Sequence, residues 1–275
     1  MKNLARFLFP VLMACAIAGA ATPQPATTGV DLARLDAILA GDQRSDANKA
    51  RDVYRHPKET LAFFGARPDM TIVEIFPGDG WYTEILGPYV HGKGKLYAAH
   101  YPGDSDSQYA QAGLKRFRDK LAARPDLYGE ITVTALAPNH LELAPPGSAD
   151  LVVTFRNLHN WMGNGYALEA FQAMFKALKP GGTLGVEEHR GRADQPQDPK
   201  AQSGYVREDF AIALIESAGF KRVARSEINA NPKDTKDYQN GVWTLPPVYR
   251  DGDKNREKYA AIGESDRFTL KFIKP

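Results

Sequence analysis

Three histidines and two carboxylates fall where the pattern of this chain ends its strands: His100, His159 and His189, with Glu187 and Glu188 just before the last of them. An imidazole titrates at about pH 6.5, which suits it to taking a proton from an O–H or N–H group. The same nitrogens, with a carboxylate, could hold zinc, manganese or iron. Adjacent Glu187 and Glu188 point to opposite faces of a strand, so at most one of them reaches a common site. Asn157 and Asn160 flank His159, Arg190 follows His189, and Tyr205 and Arg207 precede the next helix. No H-E-x-x-H or comparable short motif is present, and no metal is expected.

A second stretch points to a ligand rather than to a reaction. Residues 71–85 read TIVEIFPGDGWYTEI. An apolar run carries one acid, Glu74, breaks at Pro77-Gly78-Asp79-Gly80 and resumes with helical spacing. That is a buried strand, a tight glycine turn and a helix start. The turn lets a ligand approach the backbone, and a helix start offers free N–H groups to negative charge. The acid inside the strand is costly unless it meets a partner.

Alternating β and α segments position both groups. Strands are predicted over residues 71–76, 95–100, 130–136, 149–155, 183–188, 222–228 and 267–273. Helices are predicted over 82–90, 107–123, 166–178 and 208–218. Short helices over 31–39, 48–55 and 57–64 precede the first strand, with Pro57 suited to a first helical turn. The expected fold class is α/β: a Rossmann-like, doubly wound, mostly parallel seven-stranded sheet with a last antiparallel strand and helices on both faces. Ligands bind such sheets outside the carboxyl ends of the strands, where the histidines fall.

The motifs resemble those of a known family. Val73-Glu74-Ile75-Phe76-Pro77-Gly78-Asp79-Gly80 is similar to motif I of class I S-adenosylmethionine-dependent methyltransferases, an acid in strand one followed by a G-x-G-x-G turn. Ala149-Asp150-Leu151-Val152-Val153, Leu178-Lys179-Pro180-Gly181-Gly182 and Glu216-Ser217-Ala218-Gly219-Phe220 resemble, in order, the family's fourth strand, the turn before strand five and the helix end before strand six. An export signal at the N-terminus, the stretch PGDGWYTEI over 77–85, Arg156-Asn157-Leu158-His159-Asn160-Trp161 and Glu264-Ser265-Asp266-Arg267 together resemble an exported bacterial methyltransferase-like group.

The resemblance implies S-adenosyl-L-methionine as cofactor and a small molecule as methyl acceptor. It implies that Glu74 orients the turn or receives the methionine amino group. It places Gly78 and Gly80, with Phe76 and Pro77, against the methionine portion, flanked by Trp81 and Tyr82. His100, Tyr101 and Asn157 complete the expected cofactor contacts. His159 is the expected base, with His189 and Glu188 as competitors. The chain departs from the family at two places. Phe76 stands at the position of the first glycine, so a different turn entry is expected, and strand two ends Ala98-Ala99-His100-Tyr101 without the usual acid for the ribose. Two other readings remain: a non-catalytic small-ligand-binding protein on the same scaffold, and a metal-dependent enzyme using the His/Glu cluster.

The N-terminus reads as an export signal over residues 1–20, with Lys2 and Arg6 before an apolar run and Ala18-Gly19-Ala20 as a cleavage pattern. This predicts a periplasmic or secreted protein. Leu12-Met13-Ala14-Cys15 also resembles a lipobox, which would anchor Cys15 to a membrane; simple cleavage is the favoured expectation. A linker over 21–30 leads to a single domain over 31–275, with a lid-like insertion near 229–265. Cys15 is the only cysteine, which excludes internal disulfides and cysteine-ligated zinc. The formal net charge is +2; without Lys2 and Arg6, 33 basic residues face 33 acidic ones, which argues against a nucleic-acid-coating protein. Nothing in the sequence sets an oligomeric state.

Overall fold

In the computed structural model, which describes Met1 and residues 29–275, seven strands form one sheet in the order β3-β2-β1-β4-β5-β7-β6. The strands are β1 (Thr71–Ile75), β2 (Lys95–His100), β3 (Thr132–Ala135), β4 (Ala149–Phe155), β5 (Leu178–His189), β6 (Lys221–Ser226) and β7 (Arg267–Ile273). β1 to β5 pair in parallel, and β7 runs antiparallel to both β5 and β6. The expected fold class holds. The export signal, the lipobox and most of the linker lie outside the described residues. Among those described, no helix is long and apolar enough to cross a membrane.

The helices follow from local signals. α1 (Leu32–Ala40) starts where the Asp31 side chain accepts the Arg34 amide. α4 (Pro57–Phe64) starts on proline and ends at Gly65 in the left-handed conformation. α5 (Thr83–Val90), α6 (Gln108–Ala123), α9 (Ala167–Ala177) and α10 (Glu208–Ser217) fall within two residues of their expected bounds.

The two faces of the sheet hold separate apolar layers. Val73, Ile75, Val152, Leu184 and Val186 pack under α9 and α10. Ile72, Leu96, Leu151 and Val153 pack under α1, α4 and α5. The alternation is the period of a strand, and it sends Glu74 to the α5 side.

Four differences from expectation bear on the site. The segment 48–55 falls in two short helices, α2 (Asp46–Lys49) and α3 (Asp52–Arg55), and Asp52 at the start of the second pairs with Arg44 at 2.6 Å. A short helix, α8 (Leu158–Gly163), follows β4 directly; six residues are too few to show a period. β5 starts at Leu178, since Lys179-Pro180-Gly181-Gly182 stays within the strand, beside a register shift between Ala149 and Leu151. Two more short helices, α7 (Pro125–Tyr128) and α11 (Arg256–Ile262), lie in stretches without a predicted helix.

Candidate active site

β1 lies between β2 and β4, so the direction of the strand order reverses there, and the crevice above its carboxyl end is the ligand position of an open α/β sheet. A cavity of about 690 Å³ occupies it. Phe76, Pro77, Gly78, Asp79 and Trp81 form its floor near the glycine turn. Tyr101, Asn157, His159, Trp161 and His189 line its strand ends, and Arg51, Arg55 and Arg156 line another side. Val242, Trp243, Pro246, Pro247, Val248 and Glu264, from the segment over 229–265, line the rest.

The turn is built for close approach. Gly78 and Gly80 have φ of 59° and 85°, and a Cβ on Gly78 would meet nothing within 4 Å. Phe76 keeps a left-handed backbone, φ 46°, of the kind a glycine adopts freely. The expected different turn entry is therefore a side-chain change on glycine-like backbone. Its ring packs on Tyr101 at 5.1 Å and Trp161 at 6.4 Å, which holds it there.

Four of the residues expected at the cofactor, Glu74, Gly80, Tyr82 and His100, do not line the cavity. Glu74 does not line the cavity: Thr83 Oγ1 donates to its Oε2 at 2.7 Å, so it orients the start of α5. Burial pushes its carboxyl up to about 7, against the Thr83 hydrogen bond and Lys120. His100 is sealed, stacked on Phe117 at 5.1 Å, with Nε2 3.1 Å from the Gly78 carbonyl. It braces the turn from below, because the strand-two residue that would reach the cavity is the next one, Tyr101. Tyr82 is buried against Phe155, with ring centroids 3.5 Å apart. Gly80 backs onto Phe117 rather than facing the cavity. Asn157 does line the cavity, and its amide donates to the Ile75 carbonyl at 3.0 Å, tying β4 to the glycine turn.

The expected reacting residues come together. His159 and His189 have ring centroids 5.4 Å apart. His159 Nδ1 sits 3.0 Å from Glu188 Oε1, and Glu188 Oε2 accepts the His159 amide at 3.2 Å. In a neutral ring beside the Glu188 carboxylate, the proton belongs on Nδ1 and the lone pair on Nε2. Among the described residues Nε2 has no protein partner, and His159 lines the cavity. His189 Nδ1 lies 2.5 Å from Ser265 Oγ. Burial, then His159 and the guanidiniums of Arg156, Arg267 and Arg55, hold His189 well below the usual histidine range, so it is neutral.

His159, Glu188 and His189 place ligand-type atoms within 4.8 Å of one another. Glu188 is nevertheless fully committed: its Oε1 also accepts the His189 amide at 2.8 Å, and it is 0% exposed. These contacts orient the His159 imidazole as the residues stand. Glu187 points the other way, to Arg156 and Arg267, as opposite-face geometry requires.

The arginines were the unforeseen part of the site. Arg51 and Arg55 come from the short N-terminal helices, and their partner Glu264 lies more than 200 residues away. In the sequence, the Arg156–Trp161 and Glu264–Arg267 motifs touched this cluster, and nothing marked Arg51 or Arg55.

No family model and no curated protein matches the chain. Solved structures do. An S-adenosylmethionine-dependent methyltransferase from Aquifex aeolicus is similar over 89% of this chain and 99% of its own, at 16% identity and a TM-score of 0.56. The N-methyltransferase NodS from Bradyrhizobium japonicum, solved with S-adenosyl-L-homocysteine, is similar over 89% and 98%, at 17% identity and a TM-score of 0.50. The [4+2]-cyclase SpnF is similar over 86% and 85%, at 15% identity and a TM-score of 0.55. At such identities the likeness is one of fold, and the chain has the fold of the class I S-adenosylmethionine-dependent methyltransferases.

Proposed function

We propose that this protein is an S-adenosylmethionine-dependent methyltransferase acting on a small-molecule acceptor, and that it works outside the cytoplasm as one of an exported bacterial group. The observation that carries the reading is the left-handed Gly78, open above its Cα, in the same cavity as the free Nε2 of His159. The residues fit the methionine end of the cofactor: the glycine turn gives it room, and Asn157 fixes the adjoining strand end. The ribose end would rest on Tyr101 without a strand-two carboxylate.

When bound, the cofactor supplies an electrophilic methyl group. The chain's own task is to align the acceptor, remove its proton and keep water out. His159 Nε2 takes that proton, and Glu188 holds the ring in the tautomer that leaves Nε2 unprotonated. Trp243, 5.9 Å from His159, lines the cavity beside the reacting groups. The extracytoplasmic setting rests on the signal over residues 1–20; fractionation of the native host and intact mass at Cys15 test it.

Calorimetric titration of S-adenosylmethionine and S-adenosylhomocysteine tests the cofactor. One-to-one binding at roughly micromolar affinity, about −8 kcal/mol, is expected. No heat and no thermal stabilisation at high ligand concentration overturns the reading. Binding without turnover on a broad acceptor panel would favour a non-catalytic ligand-binding protein.

The proximity of His159, Glu188 and His189 favours one alternative, a metal-dependent enzyme. Stoichiometric metal in protein purified without a His-tag, with activity needing no added cofactor, would establish it.

A further inference from the structure

Four guanidinium groups, those of Arg51, Arg55, Arg156 and Arg267, gather around two carboxylates, Glu187 and Glu264. The other charges on the cavity wall are matched one to one: Lys120 with Glu84 at 2.5 Å, Asp79 with Arg116 at 3.0 Å. The arginine cluster is not. Even with Glu188 counted as its neighbour, cations exceed anions. Burial, then repulsion from Arg156, lowers the Arg55 guanidinium to about 9, whereas burial would raise Glu264 but Arg55, Arg267, Arg51 and Arg156 draw it down to about 2. A buried excess of positive charge is costly unless something answers it.

The four arginines divide by how their N–H groups are used. Arg267 is engaged at every nitrogen: these reach the Ser265 carbonyl, Glu187, and the Tyr54 carbonyl with Glu264, and it does not line the cavity. Arg51, Arg55 and Arg156 each give one nitrogen to a carboxylate, and all three line the cavity. Among the described residues their remaining N–H groups have no protein acceptor, and none of those nitrogens is sealed. They are also held in place. The Arg55 guanidinium lies 4.6 Å from the Trp81 ring centre. Arg156 takes a left-handed backbone, φ 61°, with its amide on the Glu187 carbonyl at 2.7 Å, so strain is retained to aim this side chain.

We infer that Arg51, Arg55 and Arg156 form a receptor for an oxyanion, a carboxylate or phosphate borne by the acceptor, which holds its reacting O–H or N–H toward His159. The word acceptor rests on the methyltransferase reading; the receptor itself does not. The methionine carboxylate of the cofactor is the rival occupant, but it comes with an ammonium and a sulfonium. Bound S-adenosylmethionine thus adds one positive charge, and the cluster still lacks an anion. Planar guanidiniums with spare paired donors match carboxylate and phosphate oxygens in geometry as well as charge.

The test titrates pyrophosphate and, separately, succinate into the wild-type protein, with and without saturating S-adenosylhomocysteine, at constant ionic strength. Arg51→Gln and Arg156→Gln are compared, with circular dichroism to check folding; Arg51 is partly exposed, so its variant serves if the other does not fold. The expected result is saturable binding of one probe that persists with S-adenosylhomocysteine bound. Arg51→Gln should weaken it at least tenfold and change S-adenosylhomocysteine affinity less than threefold. Absence of saturable probe binding overturns the inference. So does competition between probe and S-adenosylhomocysteine with a parallel loss of both in the variants, which would give the cluster to the cofactor carboxylate. Probe binding in a protein that ignores S-adenosylhomocysteine would uphold the receptor and remove the methyltransferase reading instead.

Discussion

The carboxylate of Glu188 holds His159 at two points, its ring Nδ1 at 3.0 Å and its backbone amide at 3.2 Å, so the imidazole cannot turn without losing the first, while the second keeps the carboxylate in place beside it. Glu188→Gln should keep the volume of this side chain but not its hydrogen bonds. Either orientation of the new amide sets its NH2 against a backbone N–H, that of His189 or that of His159, so the carboxylate's hold on the ring and its tautomer is lost. Turnover on an acceptor found by screening should fall about 10²- to 10⁴-fold, as it should in His159→Ala. S-adenosylhomocysteine affinity, measured by calorimetry, should stay within about threefold in both variants. Unchanged turnover in either one would remove His159 as the base.

Gly78 and Gly80 share a backbone hand but not a role. A methyl on Gly78 points into open cavity, so Gly78→Ala should cost only the left-handed strain, about 1 kcal/mol of stability. The same methyl occupies ligand space, and S-adenosylhomocysteine affinity should drop more than about tenfold, or ~1.4 kcal/mol. In Gly80→Ala the Cβ meets Phe117 at 3.3 Å, and Phe117 is fully buried with nowhere to move. That variant should lose more stability than Gly78→Ala. Thermal unfolding and calorimetry on the two proteins separate the effects; equal losses of affinity without the stability difference would contradict this division.

All three tryptophans of the chain, Trp81, Trp161 and Trp243, border the cavity. They sit on its turn, on α8 and on the segment over 229–265, so a ligand filling it must change their surroundings. Intrinsic fluorescence should therefore change saturably on adding S-adenosylhomocysteine, with the midpoint found by calorimetry. Trp243→Phe should remove part of the signal, since only this tryptophan lies close to His159, at 5.9 Å. A calorimetric binding curve with flat fluorescence would place the ligand elsewhere.

The sheet was legible in the sequence because its signals are local. Apolar runs of strand length, Gly219 after α10 and Pro57 at the start of α4 each act within a few residues. The polar edge of the site was legible for the same reason: Asn157, His159 and His189 follow from where strands end. Which of two neighbours faces the cavity was not. His100 and Tyr101 differ by one position, and only the packing of Phe117 on the His100 ring decides that Tyr101 lines the cavity. Glu74 was legible as a buried acid needing a partner, but the partner, Thr83, is fixed by the docking of α5. The arginine cluster joins Arg51 to Glu264, a pairing that no periodicity encodes.

Glu74 and Glu264 are both buried acids, and their pH effects should have opposite signs. For Glu74 the folded value is raised to about 7 from the ordinary 4.5. Between those values the native state holds the proton more tightly than the unfolded chain, so stability falls as pH rises from about 4.5 to about 7. The full penalty, ~3 kcal/mol, is present only above that window. Glu74→Gln carries no charge, so it should flatten this slope and gain most over wild type near pH 8, with little difference at pH 4. For Glu264 the folded value is depressed to about 2, so its contribution is present above about 4.5 and is lost as pH falls toward 2. Glu264→Gln should therefore cost stability at neutral pH, where it leaves Arg51, Arg55 and Arg267 short of an anion, and the gap to wild type should narrow in acid. Denaturant unfolding at half-unit steps of pH reads both slopes. Parallel curves for wild type and Glu74→Gln would mean that this carboxyl is not the group that burial holds protonated.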